Sequence, residues 1–176
     1  QGVQTDLFGN IVEIPESKVW NREPIQDDGE TPDGLKAEKN INNTPHNYEA
    51  VEGDAAIKKL VAELKKHDEI CFDTETTGID ANEAEIVGMS FSVKAGEGFY
   101  VFCPADQKET ARRLQFFKPL FNDATKTWVG HNIKYDMLIL KWQGIEIAGN
   151  TFDSMLAHYV IEPDGKNGMD ALSEKF

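Results

Sequence analysis

Residues 71–78 read Cys-Phe-Asp-Thr-Glu-Thr-Thr-Gly, a stretch in which two acids end a short apolar strand. Acidic residues are poor strand formers, yet Asp73 and Glu75 follow directly on the apolar residues that begin after Glu69. Side chains alternate between the two faces of a strand, so Asp73 and Glu75 share one face and Thr74 points the other way. The pattern predicts a strand whose carboxyl end carries paired carboxylates.

The spacing of these two acids suggests a cation site. Carboxylates about 6–7 Å apart along a strand repel each other unless a cation lies between them. Hard oxygen ligands of this kind favour Mg²⁺ or Mn²⁺ over a soft metal. The alternative is that Asp73 and Glu75 are solvated acids leading into the turn at Thr77 and Gly78.

A second motif, Gly130-His-Asn-Ile-Lys-Tyr-Asp136, lies where a short strand gives way to a helix. Ligands often bind at this position in α/β folds. Asn132 and Asp136 are four residues apart, so in the first turn of a helix they project from one face. The alternative is that Asn132 is a plain N-cap and Asp136 a solvated acid favoured by the helix dipole.

The elements around these motifs predict an α/β layer fold with a mixed sheet. Three consecutive strands with short connections form an antiparallel meander, and helices flank it. We expect Pro119 to loosen or stop the helix near its end, and Asp153 to be the N-cap of a later helix. The predicted elements are a helix at 54–66, strands at 69–74, 85–93 and 99–103, a helix at 107–121, a strand at 127–130, and helices at 133–142, after 153 and from 169.

The composition limits the function classes. The formal net charge is −13, which argues against a dedicated duplex-binding domain, since Lys and Arg supply most phosphate affinity. It does not argue against a nuclease site, where bound divalent cations invert the local charge. We expect Cys71 and Cys103 to be buried, reduced thiols in a cytoplasmic protein, and we find no apolar stretch of membrane-spanning length.

The chain divides into two parts by composition. Residues 1–45 are acidic and rich in Asn, Pro and Gly, which predicts a mostly flexible linker. Residues 46–176 carry the periodic segments and form the predicted domain. The first residue is Gln1, and a helix is still in progress at Phe176. We therefore expect this sequence to be a piece of a longer protein.

The two motifs together resemble the DEDD exonuclease superfamily, and more narrowly the proofreading 3′→5′ exonuclease domain of bacterial DNA polymerase I, a family A polymerase. The segments Phe152–Tyr159 and Met169–Ser173 look like the next segments of that domain, so the resemblance covers roughly residues 50–176. It implies a ribonuclease H-like fold. It also implies hydrolysis at the 3′ end of single-stranded DNA, beside a polymerase module of the same parent chain, in a protein that we expect to be a monomer.

The resemblance assigns roles to particular residues. Two divalent cations, Mg²⁺ or Mn²⁺, would be bound by Asp73, Glu75 and Asp136, with Asp73 as the shared ligand. One cation would acidify the attacking water and the other would neutralise the departing 3′ oxygen. Four further residues match positions that line the path of the terminal nucleotides: Thr76, Ile79, Asn132 and Tyr135. Core packing stays open as the alternative for Ile79 and Tyr135.

The chain departs from the family pattern at the third motif, Tyr-x-x-x-Asp, which supplies the last metal ligand. Tyr159 has Pro163 at the fourth position, and Asp164 lies one residue too far along. We expect the motif beyond Phe176, and we expect this piece alone to hydrolyse DNA feebly or not at all. Two other functions stay open: a structural spacer without chemistry in a family A polymerase, and a free-standing DEDD nuclease that trims RNA.

Overall fold

The computed structural model describes Lys39 and residues 41–176, which hold all of the predicted motifs. The predicted linker at residues 1–45 lies almost entirely outside the described residues, so the division at residue 45 stays a prediction. The elements are β1 (Asn47–Val51), α1 (Gly53–Leu64), β2 (Glu69–Thr76), β3 (Ile86–Ser92), β4 (Glu97–Phe102), α2 (Gln107–Leu114), α3 (Lys118–Phe121), β5 (Thr127–Gly130), α4 (Ile133–Trp142), β6 (Asn150–Asp153), α5 (Ser154–Ile161) and α6 (Met169–Lys175).

The strands of residues 41–176 form one mixed sheet in the order β1-β4-β3-β2-β5-β6. The predicted antiparallel meander is confirmed, because β3 pairs antiparallel with both β2 and β4. The strand β5 is parallel to β2, and β6 is parallel to β5. The strand that carries the paired acids therefore lies inside the sheet, between β3 and β5.

Aromatic packing holds β2 against the helices. Phe72 projects from the face opposite Asp73 and meets Trp128 of β5 edge-on, with ring centroids 5.3 Å apart. Trp128 stacks on Phe121 of α3 at 4.5 Å, and Phe91 stacks on Phe117 at 5.2 Å. These side chains are fully buried, and each contributes about 1.5–3 kcal/mol through burial alone. This core fixes the acid-bearing strand in place.

The single helix predicted at 107–121 is two helices in the structure. The helix α2 ends at Leu114, and α3 has Pro119 in its first turn. A proline has no amide hydrogen, and its ring clashes with the carbonyl group four residues earlier, which here belongs to Gln115. Gln115 is the C-cap of α2, so the proline ends the helix one turn earlier than we expected.

The sequence pattern missed the strands β1 and β6, which lie at the two edges of the sheet. Both are short, and nearly all of their residues are exposed. Edge strands of this kind are held by backbone hydrogen bonds to one neighbour, which side-chain periodicity does not reveal. Cys103 is buried as predicted, whereas Cys71 is exposed, so that prediction was wrong for Cys71. Within the described part of the chain, no helix has the length and apolar character needed to cross a membrane.

Candidate active site

The two acids of β2 are paired with small residues on the neighbouring strand β3. Asp73 is half-buried and Glu75 is exposed, on the face opposite the core. Their cross-strand partners on β3 are the small residues Ser90 and Gly88. The ring of Tyr100 lies over Gly88, where an added Cβ atom would come within 2.1 Å of the Tyr100 hydroxyl oxygen. A glycine opposite Glu75 therefore leaves room for the Tyr100 ring beside the strands that carry this site.

Asp136 reaches β2 from the first turn of α4. It is buried, with 2% of its surface exposed. Its Oδ1 atom accepts a hydrogen bond from the backbone amide of Thr74 at 2.8 Å and another from the Thr74 hydroxyl at 2.5 Å. Pairing between β2 and β5 stops at Cys71 and Val129, so the Thr74 amide lies beyond the end of the ladder. Asp136 takes the place of a missing strand partner.

The pKa values of Asp73 and Asp136 are both raised, first by burial and then by a neighbouring carboxylate. Burial raises the pKa of the Asp73 carboxyl, and the negative charge of Glu75 raises it further. Burial raises the pKa of Asp136 to about 6, although both hydrogen bonds from Thr74 favour the ionised form. The charge of Asp73 also raises the pKa of Asp136. Carboxylates placed together in this way gain most from a bound cation, which would favour their ionised forms.

The start of α4 is fixed by Asp153, which is the last residue of β6 and the N-cap of α5. Asn132 adopts a left-handed backbone conformation, with φ of 60°, in the N-cap position. The Asn132 side chain is exposed and makes no capping hydrogen bond. The Asp153 carboxylate accepts the amide hydrogens of Asn132 and Ile133 instead. The Asn132 side chain is therefore not used to close the helix.

The loop after β2 is tied to α4 by hydroxyl groups. The Tyr135 hydroxyl donates to the Gly78 carbonyl oxygen at 2.6 Å and lies 2.8 Å from the Thr76 hydroxyl. The Tyr135 ring packs against the core, as the core-packing alternative proposed. Ile79 is 98% exposed, so that alternative was wrong for Ile79. Hydrogen bonds of Thr76 and Tyr135 hold the start of this loop, and Ile79 projects from it into solvent.

The structure brings the two predicted motifs together but does not form a finished metal cluster. Among the described residues, no three His, Cys, Asp or Glu side chains are placed to hold a metal ion. The donor set itself, three carboxylates with one fixed by hydrogen bonds, fits a hard divalent cation. Two contributors were missed by sequence reasoning, Thr74 and the contact of Asp153 with α4. The sequence signal for Thr74 was a hydroxyl residue between two acids, on the strand face that also carries Ile70 and Phe72.

Two grooves flank Asp73 on the open face of the sheet. One, of about 480 Å³, runs over β3 and β4 and is bordered by Tyr48 and Tyr100. The other, of about 470 Å³, runs toward α5 and α6 and is bordered by His131 and His158. Asp73 lines both grooves, so the acid is accessible from either side.

Solved structures with this fold include the catalytic core of RRP6 from Trypanosoma brucei. That structure matches with a TM-score of 0.54 and 21% identity, over 68% of this chain and 31% of the other. Brucella melitensis NrnC matches with a TM-score of 0.56 and 16% identity, over 74% of this chain and 59% of the other. A further structure of the same protein contains bound Mg²⁺. These matches show a ribonuclease H-like fold, as predicted.

Proteins related in sequence identify the family to which this chain belongs. The family model described as 3′-5′ exonuclease matches residues 48–176. DNA polymerase I of Pseudomonas aeruginosa is 34% identical over 170 residues, which is 92% of this chain and 18% of that protein. DNA polymerase I of Borreliella burgdorferi is 35% identical over 73% of this chain and 14% of that protein. The chain belongs to the 3′-5′ exonuclease family of bacterial DNA polymerase I, and it spans less than a fifth of the length of these relatives.

Proposed function

We propose that Asp73, Glu75 and Asp136 form the metal-binding part of a 3′→5′ exonuclease site that removes the terminal nucleotide of single-stranded DNA. One observation carries this proposal. The hydrogen bonds from Thr74 to Asp136 join two acidic motifs that lie 62 residues apart in sequence. A pair of solvated acids and a separate helix-terminal acid would need no such junction.

The proposed cofactors are two divalent cations, Mg²⁺ or Mn²⁺, held by these three carboxylates. When bound, the cations would acidify the attacking water and neutralise the charge on the departing 3′ oxygen. The protein's own part is to hold the acids: β2 presents Asp73 and Glu75 on one face, and Thr74 fixes Asp136. The Mg²⁺ complex of the Brucella melitensis NrnC structure is consistent with this choice of cation.

The proposed substrate contacts lie around the acids. Ile79 and Asn132 are exposed, so both are free to meet a nucleotide. Thr76 and Tyr135 bond to each other, so their role would include holding the Ile79 loop. The chain has 31 Asp and Glu against 18 Lys and Arg, so its side chains attract the DNA phosphates weakly. We therefore propose that a polymerase module of the same parent chain helps to bind the DNA. A monomer in the bacterial cytoplasm, associated with the nucleoid, stays a prediction.

One observation favours a second function, a spacer domain without chemistry. The described acids do not form a three-residue metal cluster, and a decayed domain would keep the fold without such a cluster.

A nuclease that trims RNA is the further alternative. Its discriminating property is the substrate, because a ribonuclease should prefer an RNA oligonucleotide to the DNA oligonucleotide of the same sequence.

The test is a Mn²⁺ titration of the chain by calorimetry, with the variants Asp73→Ala, Glu75→Ala and Asp136→Ala. Each variant should weaken Mn²⁺ binding by about 10-fold or more, because each removes one ligand. Asp164→Ala, an exposed acid in the turn after α5, is the matched control and should bind like the wild type. Equal binding by all five proteins would favour the spacer.

Activity is measured alongside, with 5′-labelled single-stranded DNA and RNA oligonucleotides in Mg²⁺. Shortening from the 3′ end of DNA, abolished by Asp73→Ala, would support the exonuclease. The expected rate of the chain alone is low, and a rapid reaction would contradict that part of the prediction. A faster reaction on RNA would support the RNA-trimming alternative instead.

A further inference from the structure

Thr74 occupies the position between the two acids of β2 but faces the other side of the strand. It is 7% exposed and has Asp73 and Glu75 as its immediate neighbours. Its amide and its hydroxyl are directed at the same atom, Oδ1 of Asp136, at 2.8 and 2.5 Å. The backbone amide and the side-chain hydroxyl of one residue therefore both donate to one oxygen, and together they define a specific orientation of the Asp136 carboxylate.

The double hydrogen bond has a consequence for the carboxylate as a whole. One donor alone would let the Asp136 carboxylate swing about its contact, whereas two donors on Oδ1, each favouring the plane of the carboxylate, restrict its orientation. Because Thr74 uses only Oδ1, the other oxygen, Oδ2, is left for a different partner. Charge-assisted hydrogen bonds to a buried carboxylate are strong, so this orientation is well held.

We propose that Thr74 is a positioning residue that aims the second oxygen of Asp136, Oδ2, at the cation shared with Asp73. This inference rests on the proposed exonuclease function. Three successive residues of β2 then position all three carboxylates: Asp73 and Glu75 carry two of them, and Thr74 orients that of Asp136. Partners that orient a metal ligand commonly affect metal affinity or activity by about 10–100-fold.

The test compares Thr74→Val with Thr74→Ser in the full chain. Valine has the shape of threonine but no hydroxyl, while serine keeps the oxygen that bonds to Asp136. Mn²⁺ affinity should fall by about 10–100-fold in Thr74→Val and stay within about threefold of wild type in Thr74→Ser. Unfolding by urea is measured on the same samples.

Thr110→Val is the matched control for a purely structural effect. Thr110 is also fully buried, and its hydroxyl donates to the Pro104 carbonyl oxygen at 2.8 Å. This substitution should lower the urea midpoint in a similar way, yet leave Mn²⁺ affinity unchanged. A loss of Mn²⁺ affinity in Thr110→Val equal to that in Thr74→Val would show a general effect of stability and overturn the proposal.

The outcomes separate this inference from the proposed function. If wild type shows no Mn²⁺ binding that depends on Asp136, the proposed function fails and this inference fails with it. If Asp136→Ala loses binding while a folded Thr74→Val binds like wild type, the role of Thr74 alone is overturned. Should the valine variant not fold, Thr74→Ala replaces it, and equal Mn²⁺ binding by the alanine and serine variants overturns the role.

Discussion

The carboxylate of Asp153 accepts a hydrogen bond from the backbone amide of Asn132 at 3.0 Å, although 21 residues separate them in sequence. Its second oxygen accepts the amide of Ile133 at 3.1 Å. The first oxygen also caps α5, at 2.9 Å from the Met155 amide and 3.2 Å from that of Leu156. The Asp153 side chain therefore caps the N-terminus of α5 and also anchors the start of α4, the helix that carries Asp136.

Replacing Asp153 by alanine should destabilise the protein more than loss of an ordinary cap. Removal of an N-cap costs about 0.5–2 kcal/mol, and here the two amides of α4 lose their acceptor as well. We expect a loss at or above about 2 kcal/mol in the free energy of unfolding, measured with urea. The exposed Asp164→Ala is the control, and equal stability of the two variants would contradict this role.

The hydroxyl of Tyr135 should be coupled energetically to that of Thr76. Tyr135→Phe removes the contacts with Thr76 and with the Gly78 carbonyl, and each hydrogen bond contributes about 0.5–1.5 kcal/mol. A double-mutant cycle with Thr76→Val should give a coupling free energy of about 0.5 kcal/mol or more. Tyr159→Phe, in the half-exposed tyrosine of α5, should change stability little. Strict additivity in the cycle would exclude the coupling.

Ile79 should matter for substrate and not for stability. Because the side chain is 98% exposed, Ile79→Ala should change the free energy of unfolding by less than about 0.5 kcal/mol. The affinity of this variant for a single-stranded DNA oligonucleotide should fall by about 10-fold, or about 1.4 kcal/mol, because the proposed apolar contact with a base is lost. Fluorescence anisotropy measures the binding. Val160→Ala, exposed on α5, should bind like wild type, and the same result for Ile79→Ala would refute the contact.

Acid should remove a stabilising contribution of Glu109. Hydrogen bonds from Arg112 and Arg113 lower the pKa of this carboxyl to about 2, from an ordinary value of 4.5. Since the pKa is lower in the folded state, the contribution is fully present above about pH 4.5 and is lost as the pH falls toward about 2. The group is exposed, so the effect is small and decreases with added salt.

The check is thermal unfolding of wild type and Glu109→Gln across this range. The melting temperature of the variant should lie below that of wild type at neutral pH, and the two should converge as the pH falls below about 4.5. Glu83→Gln, an exposed acid of the loop after β2, is the control. A difference that persists unchanged at the lowest pH would contradict the assignment.

Much of the fold followed from local sequence because burial repeats along each element. The alternation of Ile70, Phe72 and Thr74 with Cys71 and Asp73 matches the buried and exposed faces of β2. The antiparallel meander and the α4 helix are confirmed in the same way. The chemistry of Pro119 and of the Asp153 cap of α5 is also local, so the sequence indicated both, although Pro119 divides the helix earlier than predicted.

Local sequence was enough to show which acids share a strand face, since residues two apart on a strand must point the same way. The contact of Asp136 with Thr74 is visible only in the folded chain, because it depends on β5 ending at Gly130 while β2 continues to Thr76. The exposure of Ile79 was likewise decided by how its loop is tied to Tyr135. Side-chain periodicity records the faces of each element, but not where a neighbouring strand stops and leaves an amide for a distant carboxylate.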